Sequence, residues 1–270
     1  MSHHHLFRED APFGDDVWER IDDTVVGAAT GQLSTRRLLH VEGPYGYGTS
    51  TLVAEETVLE EATDELGGLA GQCVTPLARV QKEFRISIRD IATYEKTAMP
   101  FGTADVAHAA IACAKREDQL LLHGSESLGT TGLLNTDGSQ SLELSPWDEP
   151  GQALDDLAKA VGMLDGAGFH GPYALALAPD RYNLLFRRYP QGNMVEMEHV
   201  KSLVTEGVTK APALSSGGVL IAAGRQFASI VLGQDLTAAF IGPAGPFYEF
   251  EVSETLALRL EHPGCVCVLD

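Results

Sequence analysis

The sequence contains no run of about 18 apolar residues, the length a helix needs to cross a bilayer, so no membrane-spanning segment is expected. Its start, Met1-Ser2-His3-His4-His5-Leu6-Phe7, lacks the basic and apolar stretches of a secretory leader, which points to the cytoplasm and gives the three histidines no metal role. Cysteine is sparse. Cys73, Cys113, Cys265 and Cys267 are too scattered for a secreted disulfide framework, so reduced thiols are expected. Lysine is scarce as well, and 19 basic against 38 acidic residues leave a net charge of -19. Long-range repulsion then acts before any local contact can form, which disfavours nucleic acid and anionic membranes as partners. The stretch from Gly43 to Gly48 lacks the Gly-Lys-Ser/Thr ending of a phosphate loop and reads as a turn. His123-Gly124-Ser125-Glu126-Ser127-Leu128-Gly129 lacks the Gly-x-Ser-x-Gly spacing of a hydrolase elbow.

What is present suffices for a large core: 270 residues, 44% of them hydrophobic, in one large domain or two ordinary ones. Asp15 to Thr30 carries Val17, Ile21, Val25 and Ala28 at helical spacing behind Asp15 and Asp16, so an amphipathic opening helix is expected. Gln32 to Val41 reads as extended chain entering the Gly-Pro-Tyr-Gly-Tyr-Gly corner. Acidic residues Glu60, Glu61, Asp64 and Glu65 sit between short apolar pieces from Thr49 to about Gln81, as in a long exposed hairpin. Phe84, Ile86 and Ile88 alternate with polar residues as in a strand, whereas Asp105 to Leu122 is an Ala-rich helix pattern. Gln152 to Leu164 reads as a helix and Tyr173, Leu175 and Leu177 as a strand ending near Pro179-Asp180. Four short apolar segments, Val219 to Ala223, Ala228 to Leu232, Tyr248 to Val252 and Leu256 to Leu260, make the last part strand-rich. There is no repeat of fixed period and no low-complexity linker, so the expected class is α+β with interwoven segments.

Two patterns invite metal chemistry. Glu196-Met197-Glu198-His199 contains Glu-x-x-His, which on a helix puts a carboxylate and an imidazole on one face, but di-iron bundles need paired copies and further glutamates. A solvated acidic helix face is the plainer reading. His262, Cys265 and Cys267 offer soft ligands at a spacing that matches structural zinc poorly, and small buried side chains explain them better. A metal-dependent oxidoreductase built on these residues is the enzymatic alternative, and no catalytic, metal or cofactor site is assigned.

Several segments, taken in order, resemble one family. Leu6-Phe7-Arg8-Glu9-Asp10-Ala11-Pro12-Phe13, Trp18-Glu19-Arg20-Ile21-Asp22, Val41-Glu42-Gly43-Pro44-Tyr45-Gly46, Gly132-Leu133-Leu134, Gly171-Pro172-Tyr173 and Leu232-Gly233-Gln234-Asp235-Leu236 together make the chain similar to the type 1 encapsulins, shell proteins related to tailed-phage capsid proteins. The resemblance implies the tailed-phage major capsid protein fold (Hong Kong 97 type). Residues 1-47 would give an N-terminal arm, a helix and the start of a peripheral domain; 48-82 would be an extended loop. The peripheral domain would continue over 83-135, an axial domain would take 136-224, and 225-270 would return to the peripheral domain. It implies a non-enzymatic subunit that closes an icosahedral shell, in the smallest case from about sixty copies. That shell would enclose a cargo enzyme, an iron-storage ferritin-like protein or a peroxidase, and would admit small solutes through pores. A phage or prophage capsid protein packaging DNA is the alternative with the same fold.

The same resemblance implies two sites. Phe186, Arg187, Arg188, Tyr189, Pro190, Gln191, Gly192 and Asn193 would form the loop around the fivefold pore, with the two arginines making its approach basic. Val25, Arg36, His40, Asp235 and Leu236 would receive the C-terminal targeting peptide of the cargo. His40 stands where relatives often carry an acidic residue, so cargo preference would differ. Some relatives hold a flavin near a tryptophan after the extended loop; Phe84-Arg85-Ile86-Ser87-Ile88-Arg89-Asp90 has none, and no flavin is expected.

Overall fold

A computed structural model describes residues 4–60, 63, 67–189 and 192–270. Helix α1 (Asp15–Thr30) buries Val17, Trp18, Ile21, Val25 and Ala29 on one face, and Asp15 and Asp16 lie in its first turn, where the helix dipole favours negative charge. The long helix α3 (Ala104–His123) packs against it and buries the small residues Ala109, Ala110, Cys113 and Ala114. Both helices cover a four-stranded sheet ordered β1 (His40–Glu42), β9 (Ala228–Ala244), β10 (Phe247–Leu260) and β4 (Ala78–Ser87). β1 runs parallel to β9 and the other pairs are antiparallel. Phe13, Trp18, Phe84, Phe240 and Phe250 stack or meet edge to face where α1 crosses this sheet.

A second sheet has the order β5 (Gln140–Leu142), β11 (Val266–Leu269), β8 (Gly218–Ala222), β6 (Tyr173–Leu177) and β7 (Gly207–Lys210). Helices α4 (Gln152–Gly166), α5 (Pro179–Leu184) and α6 (Glu196–Leu203) pack around it. β6, β8 and β11 are buried at every position, which explains why Tyr-Ala-Leu-Ala-Leu and Val-Cys-Val-Leu read as continuous apolar runs. Strands β2 (Thr51–Glu60) and β3 (Leu69–Pro76) form a separate hairpin that joins neither sheet.

The structure departs from the sequence reading in five places, each for a visible reason. Residues Thr35–Arg37 form a tight 3-10 turn and not extended chain, because Asp118 draws two successive backbone N–H groups to itself. The strand expected through Ile88 stops at Ser87, whose partner Phe247 is the first residue of β10, and Ile88 opens helix α2 (Ile88–Thr97). Ala228 to Leu232 is only the beginning of β9, and Tyr248 to Val252 and Leu256 to Leu260 are one strand. The two long strands support each other throughout, with irregularities near Ser253 and Thr255 absorbing the mismatch. The hairpin ends at Pro76, inside the 48-82 segment, since Ala78 already pairs with Leu256. Finally, β11 lies within 225-270 yet pairs with β8 and β5, so the end of the chain completes the second sheet and not the first.

Two glycines explain motifs that read only as turns. At Gly43, with φ +105°, a Cβ would stand 2.5 Å from the Leu232 carbonyl oxygen, so only glycine lets this corner run against β9. Tyr45 and Gly46 then donate N–H bonds to the Leu232 and Gly233 carbonyls, continuing the β1 pairing. A Cβ on Gly233 would meet the Thr255 hydroxyl at 2.5 Å and the Thr49 carbonyl at 3.2 Å, where the hairpin root crosses β9 and β10. The two halves of the Gly-Pro-Tyr-Gly and Leu-Gly-Gln-Asp-Leu pattern therefore touch.

Candidate functional site

Asp118 is the residue that builds the first site. Its carboxylate is buried on α3 and accepts hydrogen bonds from the Ser34 and Thr35 backbone N–H groups at 3.0 Å and from both hydroxyls at 2.6 Å. This fixes the 3-10 turn and aims Arg36 into a carboxylate nest. Arg36 Nε and Nη2 donate to the two oxygens of Glu117 at 2.8 Å, Nη2 also donates to Glu254 Oε2 at 2.8 Å, and Nη1 donates to Asp235 Oδ1 at 2.8 Å. The Glu117 and Glu254 side chains are fully buried, whereas that of Asp235 is 56% exposed. Burial alone would lower the Arg36 pKa, but the Glu117 hydrogen bond and charge, with smaller help from Asp235 and Glu254, hold it above the ordinary value. The arginine is therefore permanently charged. Glu254 is pushed toward its neutral form: burial, then the charge and hydrogen bond of Glu117, raise its pKa well above the usual carboxylate range.

The five residues expected to receive a peptide fare differently. Arg36 and Asp235 meet directly although far apart in sequence, and Leu236 follows Asp235 with its N–H bonded to the Asp235 carboxylate at 2.8 Å. Val25 is buried in line with Val17, Ile21 and Ala29, so its side chain serves the core and cannot contact a ligand; its neighbour Val26 is 62% exposed. His40 is exposed at the start of β1, opposite Ser229, and among the described residues it has no hydrogen bond to Arg36 or Asp235. Beside Asp235 lies a cavity of about 670 Å³ walled by His5, Leu6, Tyr47, Gln234 and Leu236. The His5 ring stacks on Tyr47 at 4.3 Å and its Nε2 lies 2.6 Å from Gln234 Oε1. Arg8 clamps the same arm by a bidentate pair with Asp22 at 2.7 Å and a bond to the Ala238 carbonyl at 2.9 Å.

The second site is the segment after α5. Phe186 and Arg188 are exposed, and Arg188 bridges Val195. Arg187 was expected to face outward, but its Nε donates to the Leu184 carbonyl at 3.1 Å and its Nη1 to the Asp148 carbonyl at 3.0 Å. These bonds tie Arg187 to the stem of the loop, and Arg188 is the exposed one of the two arginines. Tyr189 packs edge to face on His199 at 5.1 Å, and its pKa is raised by burial and by the charges of Glu196 and Asp155. Gly192 and Asn193 are exposed; Pro190 and Gln191 lie outside the described residues.

Glu196 corrects the reading of a solvated acidic helix face. It is fully buried, and its Oε1 accepts the Gly151 N–H at 2.8 Å and the Leu154 N–H at 3.3 Å, capping the first turn of α4. His199 faces Tyr189 instead, so the Glu-x-x-His pattern serves packing. Cys265, in the turn before β11, and Cys267, within β11, are both buried. Among the described residues no group of three or more His, Cys, Asp or Glu side chains is arranged to hold a metal ion.

The residues that sequence reasoning missed are Glu117, Asp118 and Glu254. A signal existed on α3: Ala110, Cys113, Ala114, Glu117 and Leu121 fall on one helical stripe, and an ionisable residue inside an apolar stripe needs a partner. Glu254 carried a matching signal on β10, where Phe250, Val252, Leu256 and Leu258 stand on its face at strand spacing.

Known proteins share this architecture. Residues 3–257 match the family described as "Encapsulating protein for peroxidase". The chain is 32% identical to the type 1 encapsulin shell protein EncA of Myxococcus xanthus over 269 residues, covering 96% of this chain and 94% of that protein. It is 30% identical to a ferritin-like–encapsulin shell fusion protein of Pyrococcus furiosus over 196 residues, covering 72% of this chain and 53% of the fusion. Among solved structures, a virus-like particle from Pyrococcus furiosus superposes with a TM-score of 0.75 at 23% identity, covering 94% of this chain and 99% of the other. The capsid of the myophage XM1 superposes with a TM-score of 0.58 at 16% identity, covering 86% and 88%. These last two establish a capsid-type fold.

Proposed function

The chain belongs to the encapsulin family of shell proteins, and from that premise we propose that it closes an icosahedral shell of about sixty copies in the cytoplasm and carries no catalytic activity of its own. The observation that carries the assembly is the hairpin β2–β3. It leaves Val53, Leu69 and Val74 each more than half exposed, and a hairpin with so little cover of its own is marginal in water. A neighbouring copy supplies the missing surface. In the domain plan, the hairpin is the extended loop, the four-stranded sheet with α1 and α3 is the peripheral domain, and the five-stranded sheet, β11 included, is the axial domain.

The cargo enters by a C-terminal targeting peptide that lies across Arg36, Asp235 and Leu236, with Val26 in place of Val25, and extends toward His40 or the cavity under His5. Supporting this reading are the exposed carboxylate of Asp235, the apolar surface beside it and the cavity. The loop 186–193 lines the fivefold pore, supported by the exposure of Phe186, Arg188, Gly192 and Asn193. The cargo is a ferritin-like iron-storage protein or a peroxidase; the family description and the Pyrococcus fusion favour these two themes. Electron microscopy of the purified protein tests the assembly. Uniform hollow icosahedra are expected, whereas monomers or small oligomers at several salt concentrations would refute it. Particles filled with nuclease-resistant DNA would instead support a capsid that packages a genome.

A further inference from the structure

The nest around Arg36 is over-supplied with carboxyl groups. One guanidinium serves Glu117, Glu254 and Asp235, and a single nitrogen, Nη2, is shared at 2.8 Å by Glu117 Oε2 and Glu254 Oε2. Both of those side chains are fully buried, and Glu254 Oε1 accepts no hydrogen bond among the described residues. Fully ionised, the four groups would hold two net negative charges, most of that charge away from water, with one buried carboxylate oxygen unpaired. Two carboxylates that share one site cannot both ionise freely.

The other neighbours do not relieve this. From α3, Cys113 lies near Glu254 and stays a neutral thiol, pushed up by burial and by Glu254 and Glu251 against a smaller opposing pull from Lys82 on β4. Asp118, next to Glu117, is saturated by Ser34 and Thr35. From β9, Gln234 is uncharged and spends its side chain on His5 and Ser253, while Asp235 adds a further negative charge. On β4 the residue opposite Glu254 is Val80. Arg36 is the one cation among the described residues bonded to the nest.

We propose that Glu254 keeps its proton at neutral pH and that this proton sets the charge of the nest beneath the peptide-docking face. Protonated, Glu254 becomes a donor within hydrogen-bond reach of Glu117, and the nest carries one net negative charge, displayed at Asp235. When alkali removes the proton, the nest gains a second negative charge. A basic peptide lying on Asp235 and Leu236 is then held more tightly, by about two- to fivefold for one unit charge acting across a protein surface. The coupling to docking rests on the proposed function; the proton itself does not.

Infrared difference spectroscopy of empty shells in D₂O tests the proton directly. The wild type should show one carboxylic-acid C=O band per chain at neutral pH that vanishes on raising the pH, and Glu254→Gln should lack it. Glu117→Gln, which removes the repelling charge, should move the loss of the band to lower pH. Absence of the band from the wild type at neutral pH, or its persistence in Glu254→Gln, overturns the proposal, and the wild-type titration stands even if a variant fails to fold. A synthetic Lys-containing C-terminal cargo peptide, titrated at pH values on both sides of the transition, tests the coupling. Affinity should rise with pH for the wild type and stay flat for Glu254→Gln. A titrating band with pH-independent peptide binding would overturn the coupling, and a peptide that binds at no pH would count against the docking reading while leaving the proton in place.

Discussion

Replacing Arg36 with Met tests whether the nest is a structural pivot or a surface decoration. The substitution keeps most of the apolar volume and removes the only described cation bonded to Glu117 and Glu254. Breaking a buried ion pair by deleting one partner costs about 3–5 kcal/mol, because the other charge is left buried and unpaired. Glu117 loses both of its guanidinium bonds in this variant, so the upper part of that range applies. For a chain of this size each kcal/mol moves the melting temperature by a few degrees, so the loss is on the order of 10 °C. Asp235→Asn removes a pair whose carboxylate is 56% exposed, and exposed pairs contribute below about 1 kcal/mol, or a degree or two. Shells unfold irreversibly, so both variants must be compared with the wild type at one scan rate in particles of one size class. Adding Glu117→Gln to Arg36→Met should recover part of the loss, since a neutral amide tolerates burial far better than an orphaned carboxylate. The reasoning fails if Arg36→Met melts within about 2 °C of the wild type, or if Asp235→Asn proves equally costly.

Asp156 accepts bonds from the Ser145 N–H and hydroxyl, Trp147 Nε1 and Lys159 Nζ, and these outweigh its burial and depress its pKa to about 2. A depressed folded-state value stabilises above the ordinary carboxylate pKa and is lost as pH falls toward 2, so Asp156→Asn should cost about 2 kcal/mol at pH 7 and almost nothing at pH 2, read from denaturant midpoints at the two pH values. Thiol labelling followed by peptide mapping should modify at most Cys73 in the native protein and all four cysteines after denaturation. Burial, with nearby carboxylates in two cases, pushes Cys113 and Cys265 up to about 12 and Cys267 up to about 11, leaving little thiolate to react. Rapid modification of native Cys267 would show that β11 does not sit in the second sheet.

The helices were legible because their cause is local. In α1 and α3 the stripe of Val17, Ile21 and Val25, or of Ala109, Ala110 and Cys113, is written at the spacing that one face demands, and the structure buries those residues. What escaped was decided by partners far away in sequence. The segment 32–41 contains nothing that asks for a 3-10 turn; Asp118 imposes it from α3. The apolar run Val266–Leu269 in β11 could equally have closed either sheet, and only the neighbours β8 and β5 assign it to the second. The family resemblance put Arg187 on the pore loop, and its bonds to the carbonyls of Leu184 and Asp148, far apart in sequence, could not be read from its own segment. The nest repeats this at the level of chemistry. Arg36, Glu117, Asp235 and Glu254 come from four separate elements, and no single segment shows that they meet. Their convergence makes one proton matter, and such a site can be found in sequence only by asking which buried ionisable residues must share a counter-charge. Glu117 among the buried small residues of α3, and Glu254 among the apolar residues on one face of β10, are the members that pose that question in the sequence.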